Sequence, residues 1–258
     1  MSLLQVTDLH KAYGDFMAVR GVDFSLEQGE MLALIGPNGA GKSTTFNMIG
    51  GQTRANQGTV CLNGQSILGM QARDIWQLGV GRTFQIAATF ASLTVVENVQ
   101  MTLLSFHRKM FSFFRPAASQ YREQALALLA QVGMADQADR PCSELAYGDV
   151  KRVELAMALA NDPVLLLMDE PTAGMAPQER NELMALTRKL AKQRNMGVLF
   201  TEHSMDVVFA YADRIIVLAA GWLIAEGSPD EIRNHPEVRE VYLGSGMGLE
   251  KLKEGLST

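Results

Sequence analysis

A five-residue apolar run, Met31-Leu32-Ala33-Leu34-Ile35, leads without a break into Gly36-Pro37-Asn38-Gly39-Ala40-Gly41-Lys42-Ser43. The run has the length and composition of a strand covered on both faces, as in a parallel sheet. The segment after it fits the spacing G-x-x-x-x-G-K-[ST] in the strand-to-helix context that this pattern requires. Its glycines let backbone N–H groups turn inward, and the start of a helix predicted from Lys42 adds partial positive charge. Such a cradle suits the phosphates of a nucleotide. Lys42 is placed to reach the β- and γ-phosphates, and Ser43 to ligate Mg2+. The plain alternative is a Gly-rich turn carrying an incidental lysine.

The rest of the chain has three parts. The first sixty residues read as strands and turns: Val22, Phe24 and Leu26 alternate with polar residues, Gln28-Gly29 marks a turn, and Asn63-Gly64 marks a hairpin after 59–62. From about 87 to 161 the pattern is mostly helical. Segments 120–132 and 150–160 carry good helix formers, and Pro163 forces a break. The last third alternates: strand at 164–168, helix at 177–193 with Pro177 in its first turn, strand at 198–201, helix at 205–211, strand at 215–218. This alternation predicts an α/β fold with a parallel sheet and helical crossovers. The tail after Tyr242 reads as a short terminal helix or a frayed end.

Composition narrows the function classes. Lys plus Arg number 23 against 28 Asp plus Glu, for a net charge of −5. That balance argues against nucleic-acid binding through a broad basic footprint. The two cysteines, Cys61 and Cys142, lack metal-ligand spacing and imply no disulfide framework, which fits a reducing compartment. No stretch has the length and apolarity of a membrane helix, and the N-terminus lacks a signal-peptide pattern. The expectation is a soluble chain that serves a membrane, if at all, from its surface.

A second set of residues complements the Gly-rich loop. The apolar strand 164–168 ends in Asp169-Glu170. An acid at such a strand tip holds the Mg2+ shell, a role that suits Asp169, and Glu170 can polarise an attacking water. His203 follows the strand at 198–201, where an imidazole can reach the γ-phosphate and the water. Gln85, in Arg82-Thr83-Phe84-Gln85, can offer its amide to both Mg2+ and water. Read alone, His203 is more often a structural or exposed histidine, and Gln85 is better read as a surface glutamine.

Taken together, these residues make the chain resemble the ATP-binding subunits of ABC transporters over nearly its full length. Tyr13 stands where that family places an aromatic that stacks on adenine. The loop through Lys42 and Ser43, with Thr44 beside it, matches Walker A, and Gln85 matches the Q-loop. Leu145-Ala146-Tyr147-Gly148-Asp149 matches the signature usually written LSGGQ. Met168-Asp169-Glu170 matches Walker B, Ala173-Gly174-Met175-Ala176 the D-loop, and His203 the switch histidine. The resemblance implies a P-loop NTPase core of the RecA-like type with an N-terminal antiparallel β subdomain (1–86 and 162–235). An inserted α-helical subdomain (87–161) and a C-terminal tail (236–258) would complete a single domain. It implies ATP and Mg2+ as cofactors. ATP would lie between Walker A of one domain and Ala146, Tyr147, Gly148 and Asp149 of a second.

Within the family the chain is most similar to ATPases of branched-chain amino acid importers, through Leu-Ala-Tyr-Gly, Gly81-Arg82-Thr83-Phe84-Gln85, and an ending that lipopolysaccharide-export ATPases share. The implied partners are a second ATPase subunit, identical or different, transmembrane permease subunits and, indirectly, a substrate-binding protein, with no nucleic acid. The implied place is the cytoplasmic face of the inner or plasma membrane. The alternatives are a lipid or lipopolysaccharide exporter motor, and a non-transport ABC ATPase. The stretch between Gln85 and Leu145 is too short for the coiled-coil insertion common in the latter. A regulatory, non-hydrolysing domain is disfavoured by the intact Lys42, Asp169, Glu170 and His203. The aromatic and basic segment 103–115 is either a contact surface for the membrane subunits or a helix with core Phe residues and solvated bases. The fifteen Met residues read as core filler.

Two departures from the family pattern matter. Ala146 stands where the signature usually carries Ser, and Ala176 where the D-loop usually carries Asp or Asn. The missing hydroxyl removes one charge-assisted hydrogen bond to a partner's ATP. Ala146→Ser is therefore expected to tighten ATP-dependent dimerisation, measured by sedimentation against wild type. Unchanged dimer affinity and turnover would refute this.

Overall fold

The computed structural model describes residues 2–83, 88–107 and 121–244. Two sheets carry the fold. β1 (Leu4–Tyr13), β2 (Phe16–Leu26), β4 (Gln57–Leu62) and β5 (Gln65–Ser66) form an antiparallel sheet in the order β2-β1-β4-β5. Asn63 and Gly64, with φ of 48° and 79°, make the two-residue turn between β4 and β5, the left-handed pair that an Asn-Gly hairpin favours.

The second sheet has six strands. β3 (Met31–Ile35), β6 (Val80–Thr83), β7 (Leu165–Asp169), β8 (Gly197–Thr201), β9 (Arg214–Ala219) and β10 (Trp222–Gly227) lie in the order β10-β9-β3-β8-β7-β6. Five are parallel, and β10 pairs antiparallel with β9. The predicted parallel sheet is present, with an antiparallel edge strand that the alternation did not indicate. Its cause is local: Ala220 and Gly221, at φ 48° and 87°, reverse the chain in a tight turn that leaves no room for a crossover helix.

The uninterrupted apolar runs follow from burial on both faces. Met31, Ala33 and Ile35 enter one core with Leu166, Met168, Val198 and Phe200. Leu32 and Leu34 enter the opposite core with Leu165, Leu167 and Leu199. The first core is closed by α3 (Val95–Phe106), α4 (Arg122–Gln131), α5 (Tyr147–Ala158), α6 (Pro177–Arg194) and α7 (Met205–Tyr211). The second is closed by the antiparallel sheet, α1 (Lys42–Ile49) and α2 (Ala72–Gln77). A strand sandwiched this way has no polar face, so period-2 alternation is absent. α8 (Pro229–Asn234) and α9 (Pro236–Gly244) end the described chain.

The helices expected at 177–193 and 205–211 match α6 and α7 to within a residue, whereas α5 begins at Tyr147, three residues before the predicted start at Val150, and ends at Ala158. α2 and α8, at six residues each, are too short to show a helical period. In the 103–115 segment, Leu103 and Leu104 are buried, Leu103 within the first core, and half-buried Phe106 packs edge-on against Trp76 at 5.4 Å. Residues 108–115 lie outside the described residues, as does the tail beyond 244.

One buried amide pins the segment entering α3. Asn98 is fully buried; its Oδ1 accepts from the Phe90 N–H (2.7 Å), and its Nδ2 donates to the carbonyls of Phe90 (3.1 Å) and Thr94 (2.9 Å). Asn98→Leu leaves those backbone groups without this partner, an expected loss of about 2–3 kcal/mol. Urea unfolding checks this, and a loss under ~0.5 kcal/mol would contradict it.

Candidate active site

The 36–43 loop leaves the tip of β3 under tight steric control. A Cβ on Gly36, at φ 149°, would stand 2.1 Å from the Leu218 carbonyl oxygen, and one on Gly41, at φ 101°, 2.5 Å from that of Ala18. Both positions therefore demand glycine. The loop is tied to the β9–β10 turn by the Gly221 N–H donating to Ala40 O (3.1 Å). Lys42 is buried, and its Nζ donates to the carbonyls of Gly36 (2.7 Å) and Pro37 (3.0 Å). Burial pushes its ammonium below the usual lysine range, while the nearby carboxylates of Glu170 and Asp169 act in the opposite direction.

The tips of β7 and β8 supply the acids and the histidine. Asp169 pairs in register with Thr201. The Thr201 hydroxyl donates to Asp169 Oδ1 (2.8 Å) and accepts from the Glu170 N–H (3.0 Å). Glu170 has φ +47°, a left-handed conformation that costs a non-glycine residue about 1 kcal/mol or more. His203 Nε2 lies 2.8 Å from Glu170 Oε1. A carboxylate only accepts, so the ring nitrogen donates. Arg82 reaches within 3.9 Å of Asp169 Oδ2 while donating to Asn47 Oδ1 (2.8 Å). Burial lowers the pKa of its guanidinium and Asp169 opposes that shift.

These elements surround an open cleft of about 220 Å³. Tyr13, Asn38, Gly39, Ala40, Gly41, Lys42, Ser43, Thr44, Glu170 and His203, all predicted from sequence, line it together with Phe16 and Ala18. Gly36 and Pro37 contribute their carbonyls to Lys42 from below, and Asp169 is held against Thr201. Gln85 lies outside the described residues. Phe16 pairs with Tyr13 across the first hairpin, both rings exposed. Only hairpin register marks Phe16, and that register is not readable from composition. Thr201 and Arg82, which flank Asp169 on two sides, likewise carry no local sequence signal for that role.

Ala146, Tyr147, Gly148 and Asp149 do not line the cleft. They form the start of α5, where Ala146 is the N-cap without a side-chain hydrogen bond. Ala176 holds the equivalent place on α6, where Glu179 accepts from the Ala176 N–H at 3.1 Å. Both alanines thus stand at positions where Ser or Asp normally satisfies a first-turn N–H. Tyr147 is exposed and borders Gly174.

For Mg2+, the Ser43 hydroxyl and the Asp169 carboxylate are hard oxygen donors of the right kind. No group of three or more His, Cys, Asp or Glu suited to a metal occurs among the described residues. A site with few protein ligands suits an ion that keeps water and phosphate around it.

A family model described as ABC transporter matches residues 19–173, from β2 through the Gly-rich loop to the residues after Glu170. The chain belongs to the ABC transporter ATP-binding family. A second model, Branched-chain amino acid ATP-binding cassette transporter, matches residues 223–247 of this ABC protein. The high-affinity branched-chain amino acid transport ATP-binding protein LivG of Escherichia coli K12 is 38% identical over 252 residues, 94% of this chain and 98% of LivG. The ADP conformation of MJ1267, an ATP-binding cassette of an ABC transporter, superposes with a TM-score of 0.85 at 31% identity, covering 95% of this chain and 99% of that one. The dimeric post-hydrolysis state of the cassette MJ0796 bound to ADP and Pi follows at 0.74 and 26%, covering 88% and 98%. The fold is that of a P-loop ABC ATPase, as expected from sequence. No described helix is long and apolar enough to cross a membrane.

Lys42 is the one buried cation that lines the cleft among the described residues. Lys42→Met is expected to abolish the thermal stabilisation by Mg-ATP. For wild type at 100-fold excess over Kd that shift is roughly 5–10 °C. Thermal unfolding with and without nucleotide measures it, and a retained shift would refute the assignment.

Proposed function

We propose that the chain hydrolyses ATP to energise uptake of branched-chain or related amino acids through membrane permease subunits. The observation that carries the hydrolytic part is the 2.8 Å contact of His203 with Glu170, beside the Gly-rich loop. The importer part is supported by the match of residues 223–247 and the similarity to LivG.

In this reading the loop from Gly36 to Thr44 cradles the phosphates, and Tyr13 stacks on the adenine. Lys42 gives its charge to the β- and γ-phosphates. Ser43, Asp169 and Gln85 would hold Mg2+, which when bound would neutralise charge on the phosphates. Glu170 takes a proton from water; the water oxygen bonds to the γ-phosphorus as the bond to the bridging oxygen breaks, leaving ADP and phosphate. His203 keeps the Glu170 carboxylate aimed during that transfer, with orientation contributing as much as proton affinity.

The separation of Ala146, Tyr147, Gly148 and Asp149 from the cleft supports a dimer in which each domain completes the other's site. ATP bridging two surfaces shifts the population toward the closed pair, and hydrolysis releases it. The second subunit is another ATPase, identical or different. An apolar groove of about 240 Å³ lined by Ile75, Trp76, Met157 and Ala158 opens beside Arg82 and Ala88. It offers the permease a docking face next to the core (1–86 and 162–235) and the helical subdomain (87–161). A substrate-binding protein would complete the system, and the chain would sit peripherally on the cytoplasmic membrane face.

Glu170→Gln is expected to lower kcat by roughly 100-fold or more with Mg-ATP still bound. Extracted gently from membranes with Mg-ATP, the tagged variant should retain permease subunits and a second ATPase. Retention of soluble or nucleic-acid partners alone would overturn the transport reading.

A further inference from the structure

Two loops carry the proposed catalytic pair, and one buried carboxylate ties them together. Glu202 is 5% exposed, between Thr201 and His203. Its Oε1 accepts from the Thr172 N–H (3.0 Å) and the Thr172 hydroxyl (2.6 Å). Its Oε2 accepts from the His203 N–H (3.1 Å) and, at longer range, the Ser204 N–H (3.5 Å). Thr172 is itself 2% exposed and stands two residues after Glu170. Each carboxylate oxygen thus serves a different loop: one follows β7 and carries Glu170, the other follows β8 and carries His203.

The arrangement is costly unless it does something. A buried carboxylate is tolerated only when donors replace its water, and these four do so. Glu170 also sits at φ +47°, a conformation that persists only when its surroundings hold it. Thr201 holds its N–H from one side, and Glu202 holds the chain two residues on. We propose that Glu202 is a positioning residue for ATP hydrolysis, setting the distance and angle at which His203 meets Glu170. This inference depends on the hydrolytic reading of the site. A glutamine in its place keeps the volume but turns an amide NH2 toward Thr172 or toward the His203 N–H. Donor then faces donor, and one loop is released.

The test is single-turnover and steady-state ATP hydrolysis by the full-length chain, with Mg-ATP binding followed by thermal shift. Glu202→Gln should lower kcat tenfold or more, with KM and the Mg-ATP shift within twofold of wild type. On a His203→Ala background the same change should cost less than a further twofold, because the geometry it sets is already lost. Thr172→Val should also lower kcat, and Thr172→Ser, which keeps the hydroxyl, should restore it to within twofold. If Glu202→Gln does not fold, the Thr172 pair decides. Unchanged kcat in Glu202→Gln, KM rising in step with the loss, or losses that multiply on the His203→Ala background would overturn the proposal. Wild type that binds and hydrolyses no ATP would overturn the hydrolytic reading, and this inference with it.

Discussion

Three parallel strands ending at one level of one sheet edge are what the site depends on. β8 lies between β3 and β7, and Thr201 pairs with Leu34 on one side and Asp169 on the other. Within two residues of that level the chain enters the Gly-rich loop after β3, completes the acidic pair after β7 and reaches the histidine loop after β8. Ligands of open α/β sheets bind outside such carboxyl ends because there the backbone leaves the ladder and its polar groups become available. A slip of β7 by one residue against β8 would turn every side chain to the other face and part Asp169 from Thr201.

The two cores keep that register. Alternate residues of β3, β7, β8 and β9 enter opposite apolar clusters, with helices on one face and the antiparallel sheet with α1 on the other. Burying each such side chain contributes roughly 1.5–3 kcal/mol. That burial sustains the unfavourable local features of the site: Glu170 in a left-handed conformation, and Lys42 drawn out of water. Features of this kind survive only where the surroundings over-determine them.

One cleft does not gather all the residues expected at the site. Ala146 through Asp149 start a helix of their own, away from the Gly-rich loop. Ala146 and Ala176 each cap a helix without a side-chain oxygen, so the first-turn N–H groups of α5 and α6 have no such partner from the cap itself. At the same positions a Ser or Asp would give those first-turn N–H groups a side-chain acceptor and so act on helix stability.

Much of this was legible in local sequence. The loop spacing, the apolar runs, the hairpin at Asn63-Gly64, and the places of Asp169, Glu170 and His203 just beyond apolar strands are each readable from a few neighbouring residues. Steric limits on glycine, proline and paired turn residues act at that range. Which strands become neighbours is a different matter. Neither the pairing of Thr201 with Asp169, nor Phe16 opposite Tyr13, nor Arg82 reaching Asp169, nor Glu202 joining two loops has a local signal. Period 2 and period 3.6 report which face of one element is buried but not what buries it. An apolar run buried on both faces lacks even the alternation that would mark its register. Tertiary packing alone brought β7 and β8 side by side, because only contacts far apart in the chain distinguish that order from the others the same runs allow.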